Sequence, residues 1–263
     1  MDIVELEALR SRWRRDLVQR GLDTVDRPDF AGGFYPDRVK WRGVRIVIQP
    51  GDPYADAIHF EADFWDWLAA HKEVDVDGTR VSFGLNVHPA AYAAMVVDGH
   101  GSEDWYGYLA LERSGCIDVV LGRRVAYERT DNNGRIIRGF NLVTIVGYTW
   151  AALGFAQEVR TTWGTEGPSL LTVALEKTKD ARLTNPGNGW NNPVGTDFEP
   201  YLATDPHLLW HIPIADVASI DVEDTAFAIA DRIVNAWGRH QTFYLDRTGD
   251  LAGELNPGLI NRH

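Results

Sequence analysis

One cysteine in 263 residues, Cys116, leaves no partner for an internal disulfide. The chain must therefore be held by burial and hydrogen bonding, and a reducing, cytoplasmic setting is expected. Cys116 follows Gly115 in a short turn with no matching catalytic or ligand group beside it, so it reads as a small buried thiol. Also missing are a phosphate loop, a glycine-rich dinucleotide fingerprint after a strand, and any cysteine-based zinc motif. These absences count against a nucleotide-dependent enzyme, and no cofactor is expected. The first residues, MDIVELEALRSRWRRDLVQRG, hold no uninterrupted apolar stretch, so no secretory signal is expected.

Charged residues are lacking from Phe140 to Ala156, a run of 17 positions. That is the lower limit for a membrane span, roughly 17 residues. Asn141, Thr144, Thr149 and two glycines interrupt its apolar character, and it follows a hairpin inside a mixed chain. A buried helix is expected there, with no membrane contact. A helix with so little polar face must be enclosed on most sides.

What is present begins with charge. The formal net charge is −12, unevenly placed. Asp52 to Asp118 carries 13 acidic residues against Lys72, Arg80 and Arg113, and Asp197 to Asp231 carries eight with no lysine or arginine. Conversely, Arg10 to Arg20 holds five arginines against Asp16, and Val119 to Gly139 holds five against two acids. The simplest reading pairs these basic islands with acidic regions of the same protein or a partner. Nucleic-acid binding through Arg12, Arg14, Arg15, Arg123, Arg124 and Arg138 is an alternative that the overall field opposes.

The organising stretch runs from Tyr106 to Trp163. YGYLALE and CIDVVLG flank Arg113-Ser114-Gly115 as a hairpin, a polar arginine-containing loop follows, and a long apolar helix is expected from Phe140 onward. Strands are expected in WRGVRIVIQP, RVSFGLNVHP, SLLTVALEK and LLWHIPIADVASI; AAYAAMVVDG fits either a short helix or a strand. FEADFWDWLAA places Phe60, Phe64, Trp67 and Leu68 on one helical face. Asp221 should cap a helix whose Ala226, Ile229, Ala230, Ile233, Val234 and Trp237 form its apolar side, stopped by Gly238. Ile3, Leu6, Leu9, Trp13 and Leu17 mark an N-terminal amphipathic helix ended by Gly21. The last stretch, HQTFYLDRTGDLAGEL, reads as a strand and tight turn, and Asp180 to His207 as one long irregular region around Trp190. Together these predict one α+β domain over residues 1–263, a largely antiparallel sheet with packed helices, and residues 1–21 as a helical appendage.

Chemistry-bearing residues are sparse. His207 and His211 stand four apart, the helical spacing of two-histidine zinc motifs, but Pro206 and Pro213 point to a loop running into a strand, and no metal site is expected. Asp98-Gly99-His100-Gly101-Ser102-Glu103-Asp104 has the residue types of a nucleophilic site without the strand and helix context of a nucleophile elbow. A hydrolase assembled only in three dimensions would draw first on His100, Ser102 and His211. Trp190 is a candidate stacking residue for a ligand or partner.

The pattern YGYLALERSGCIDVVLG, an arginine-containing loop, then FNLVTIVGYTWAALGFAQEV and a strand, resembles the region following the Schlafen AlbA-type domain in some bacterial proteins. The AlbA-type domain itself is not visible in this chain. The resemblance implies a bacterial cytoplasmic module working beside other units, as a sensor or scaffold of a defence or regulatory system. The leading expectation is a non-catalytic binding or regulatory module whose partner is another protein or a second copy. Its candidate contacts are the first helix and the Trp190 loop.

Overall fold

The computed structural model describes residues 43–52, 55–90, 93–98, 107–122, 125–130, 132–165, 167–184 and 202–238. In chain order the elements are β1 (Val44–Pro50), α1 (Ala62–His71), β2 (Glu73–Val76), β3 (Thr79–Ser82), β4 (Asn86–Pro89), β5 (Ala93–Asp98), β6 (Gly107–Glu112), β7 (Ile117–Leu121), β8 (Ala126–Thr130), β9 (Ile136–Asn141), α2 (Leu142–Trp163), β10 (Ser169–Glu176), β11 (Arg182–Thr184), β12 (His207–Ile214) and α3 (Val222–Ala236). Seven strands form one sheet in the order β12-β10-β1-β7-β6-β5-β4. Every pairing in it is antiparallel, so the α+β expectation holds.

The period of two in the strands sorts side chains between the sheet faces. Val44, Ile46 and Ile48 of β1, Ile117, Val119 and Leu121 of β7, and Leu171, Val173 and Leu175 of β10 join the main core under α2. The opposite face carries a second cluster, with Met95, Tyr108 and Val120 among its members. It also holds a buried ion pair. Arg45 donates from Nε to Asp118 Oδ1 at 2.8 Å and from Nη2 to Oδ2 at 2.6 Å, with both side chains at most 1% exposed. The Tyr108 hydroxyl lies 3.4 Å from the same Oδ2. At the sheet edge β12 carries Pro213, a residue that cannot donate to a ladder and that sheets admit mainly at edges.

Helix α2 is enclosed as its composition requires: 14 of its 22 residues are buried, and the exceptions gather toward its second half. It starts two residues later than expected, because Ile136–Asn141 is strand β9 and Asn141 serves as the N-cap, its Oδ1 accepting from Thr144 N–H at 3.2 Å. It stops at Gly164, whose φ of 64° is the left-handed cap conformation and whose N–H donates to Arg160 O at 2.7 Å. Trp67 of α1 packs on Phe155 and edge-on to Trp163, so the expected face of α1 meets the far end of α2. In α3, Asp221 Oδ1 accepts from Asp224 N–H at 2.8 Å, and all six apolar positions read from the sequence are buried. No described helix is long and apolar enough to cross a membrane.

Three expectations are corrected. RVSFGLNVHP is two strands: β3 pairs with β2, while β4 joins β5 in the large sheet, with Phe83–Leu85 as the crossing. The stretch expected as a polar loop before α2 contains the β8–β9 hairpin, which turns at Gly134, φ 76°. The irregular region after Asp180 contributes β11, which pairs parallel to β9, the strand that enters α2. The ambiguous AAYAAMVVDG contains a strand, β5.

Breaking a buried ion pair by removing one partner strands the other charge, whereas replacing both by apolar groups is far cheaper. Asp118→Ala should therefore lower unfolding free energy by about 3–5 kcal/mol. The double variant Arg45→Met/Asp118→Leu should recover most of that loss in urea titrations.

Candidate functional site

The end of α1, the hairpin strand β2, one stripe of α2 and the start of α3 surround a surface cleft of about 420 Å³. On α2 the lining residues are Trp150, Gly154, Gln157 and Glu158, spaced by four, three and one, which is one helical stripe. Gly154 sets the approach of the hairpin: a Cβ there would lie 3.0 Å from Val74 Cγ1, tighter than ordinary contact. The hairpin is itself closed by Asp77 and Gly78, with φ of 49° and 78°, the left-handed pair that a two-residue turn demands. Trp150 is half-buried and rests edge-on against Phe227 of α3.

His71, Gln157 and Asp75 are fixed by bonds made away from the cleft. His71 stacks on Trp67 with ring centroids 4.3 Å apart, and its Nδ1 lies 2.8 Å from Trp67 O. A carbonyl only accepts, so Nδ1 carries a proton and Nε2 is the ring's remaining polar atom. Gln157 Nε2 donates to Val217 O at 3.0 Å and Ile220 O at 3.2 Å, which engages both amide hydrogens and leaves Oε1 as the remaining polar atom. Asp75 Oδ1 accepts from Gly78 N–H at 3.0 Å inside the hairpin. Glu73 faces Arg80 at 3.9 Å in an exposed pair that contributes little. Glu158 adds a third carboxylate, on the α2 wall.

Of the residues singled out in the sequence, His211 and Arg138 fall within the described residues. Arg12, Arg14, Arg15, His100, Ser102, Arg123, Arg124 and Trp190 lie outside them, as do the N-terminal helix and the final strand and turn. Arg138 is half-buried on β9, opposite Glu128 of β8. His207 and His211 share strand β12, which separates their Cα atoms by about 13 Å and removes the helical geometry of a two-histidine metal motif. Among the described residues no group of three or more His, Cys, Asp or Glu side chains could hold a metal ion. His211 Nδ1 lies 3.0 Å from Thr172 Oγ1, a hydroxyl beside an imidazole. Thr172 is fully buried, so that hydroxyl has no route to a substrate and the contact ties β12 to β10. Arg232 of α3 fastens the same strand by donating to His211 O at 3.0 Å.

None of the cleft residues was singled out in the sequence. The acidic excess of Asp52 to Asp118 and the Trp150–Glu158 spacing were the available signals. The convergence of β2 on α2 was not, since it depends on a chain reversal between them. Comparison of the chain with protein-family models, curated proteins and solved structures finds no match.

Burial lowers the His211 pKa below its ordinary value of 6.5, because the charged ring loses hydration. As pH falls below 6.5 the unfolded chain takes up a proton that the folded chain resists, so stability falls with pH in that window. The decline should continue until the folded-state pKa is passed. His211→Gln should flatten the change in unfolding free energy between about pH 7.5 and 5.5 relative to the parent chain.

Proposed function

We propose that this chain is a non-catalytic binding and regulatory or scaffold module of a bacterial cytoplasmic system, and that the cleft between α1, β2, α2 and α3 receives its ligand. The observation that carries this reading is convergence. Segments near positions 71–75, 150–158 and 222 bring an aromatic ring, apolar walls and a set of oriented polar groups to one concavity of about 420 Å³. Small-molecule and side-chain sites commonly occupy about 300–1,000 Å³ and combine these features. The bacterial, cytoplasmic and defence-related parts rest on the resemblance carried by Tyr106 to Trp163 and on the lone buried Cys116. Another protein, or a second copy, is the partner class that the uneven charge favours.

The test is a fragment set of neutral, anionic and cationic compounds added to the full-length, isotope-labelled chain. Ligand-dependent shifts should concentrate at the Trp150 indole N–H and the Gly154 amide. Shifts absent from the cleft for every class would overturn the assignment of the site.

A further inference from the structure

We infer that the cleft accepts a guanidinium group, the head of an arginine side chain. This deepens the proposed function and rests on the cleft being the ligand site. The argument is a donor and acceptor inventory. Gln157 has committed both amide hydrogens to Val217 O and Ile220 O, and His71 has committed its Nδ1 hydrogen to Trp67 O. What those two side chains can still offer a ligand is Gln157 Oε1 and His71 Nε2, both acceptors when the ring is neutral. Glu158 adds a carboxylate acceptor, and the carboxylates of Glu73 and Asp75 stand at the rim, the first toward Arg80 at 3.9 Å and the second bonded to Gly78 N–H. The lining includes no lysine or arginine. An anion would meet lone pairs and the Glu158 carboxylate with no cation in the lining, and a neutral ligand rich in acceptors would leave its own groups unpaired.

The complement is a cation that donates many hydrogen bonds and accepts none. Guanidinium is that group: planar, always charged in proteins, with five N–H donors in a fixed fork. Its plane also suits the half-buried Trp150 ring on the α2 wall, where a cation over the indole face is attracted by the ring quadrupole. The acceptors nearest the floor stand on separate elements, His71 at the end of α1 and Gln157 and Glu158 on α2, so they come from two walls of the cleft. A compact ammonium satisfies fewer at once. The volume, about 420 Å³, leaves room for the aliphatic stem and flanking backbone as well. Two sources supply this chemistry: a free guanidinium compound, or an arginine presented by a protein segment such as the one from Arg10 to Arg20, with five arginines in eleven positions.

The experiment titrates the full-length chain with three ligands: N-acetyl-arginine amide, a synthetic peptide of residues 1–21, and that peptide with citrulline at its five arginines. The Trp150 indole N–H and the Gly154 amide report occupancy, the Gly154 amide alone in a variant without the indole. The arginine ligands should bind and the citrulline peptide should bind at least about tenfold more weakly, since citrulline keeps the shape and loses the charge. Glu158→Gln, an exposed helix-surface change, should weaken the arginine ligands about five- to tenfold, and Trp150→Leu about five- to thirtyfold. A peptide that binds more tightly than the blocked amino acid identifies a protein segment as the source; equal affinity identifies a free guanidinium compound. Equal binding of the citrulline and arginine peptides would sink the proposal. Neutral or anionic fragments that shift Trp150 while arginine ligands do not would refute the guanidinium class and leave the cleft as a ligand site. No shift from any class would remove both.

Discussion

Helix α2 imposes the main constraint on this molecule. Its side chains from Leu142 to Ala156 carry no charge, so they have to be walled from water on nearly every side. One sheet face cannot do that for a cylinder. The large sheet covers one side, the β2–β3 hairpin another, α1 closes the far end through Trp67 and Trp163, and α3 lies along the remaining flank. The rest of the described fold reads as the set of walls this helix needs. Its second half loses apolar character, Gln157 and Glu158 appear, and there the walls part to leave the cleft.

The other sheet face solves a different problem. Arg45 and Asp118 are paired side to side, with Tyr108 beside them, deep among apolar strand residues. Such a pair adds little net stability over an apolar replacement, because desolvation offsets the attraction. Its effect here is on register. A slip of one residue between β1 and β7 would move Arg45 or Asp118 into the core under α2, where no opposite charge awaits it. Gln49, on the same face of β1, keeps its Oε1 buried without a hydrogen-bond partner, which makes that strand's polar row costly as well as specific.

Local pattern carried much of this fold into view from the sequence. The cap Asp221 and the apolar positions of α3 follow from side-chain chemistry within a few residues, whereas Asn141, read as part of the α2 helix, turned out to be its cap. What stayed hidden was pairing between distant segments. β8 and β9 looked polar because one hairpin strand can satisfy its backbone against the other without an apolar signature, and three-residue β11 is too short to show a period. The cleft was hidden for the same reason. Trp150 and Gly154 read as parts of a core helix until β2 is placed against them, and the orientation of the Gln157 amide depends on carbonyls some sixty positions away. His211 was legible as a residue type, but only the pairing of β12 with β10 shows its neighbour to be a buried threonine.

The position of β1 bears on how the chain reaches this state. The strand lies inside the sheet, with Val44 paired to Leu121 on one side and to Leu175 on the other, and its ion pair joins residues 73 positions apart. Neither neighbour comes from an adjacent hairpin, so each pairing must close a long loop before it returns any burial. The β4–β7 meander is built from pairings between neighbours in sequence, whereas both pairings of β1 span long stretches of chain. The sheet centre therefore carries the loop-closure entropy of the whole fold, and the β7 edge, a template for other chains when bare, is covered by the strand that costs most to bring in.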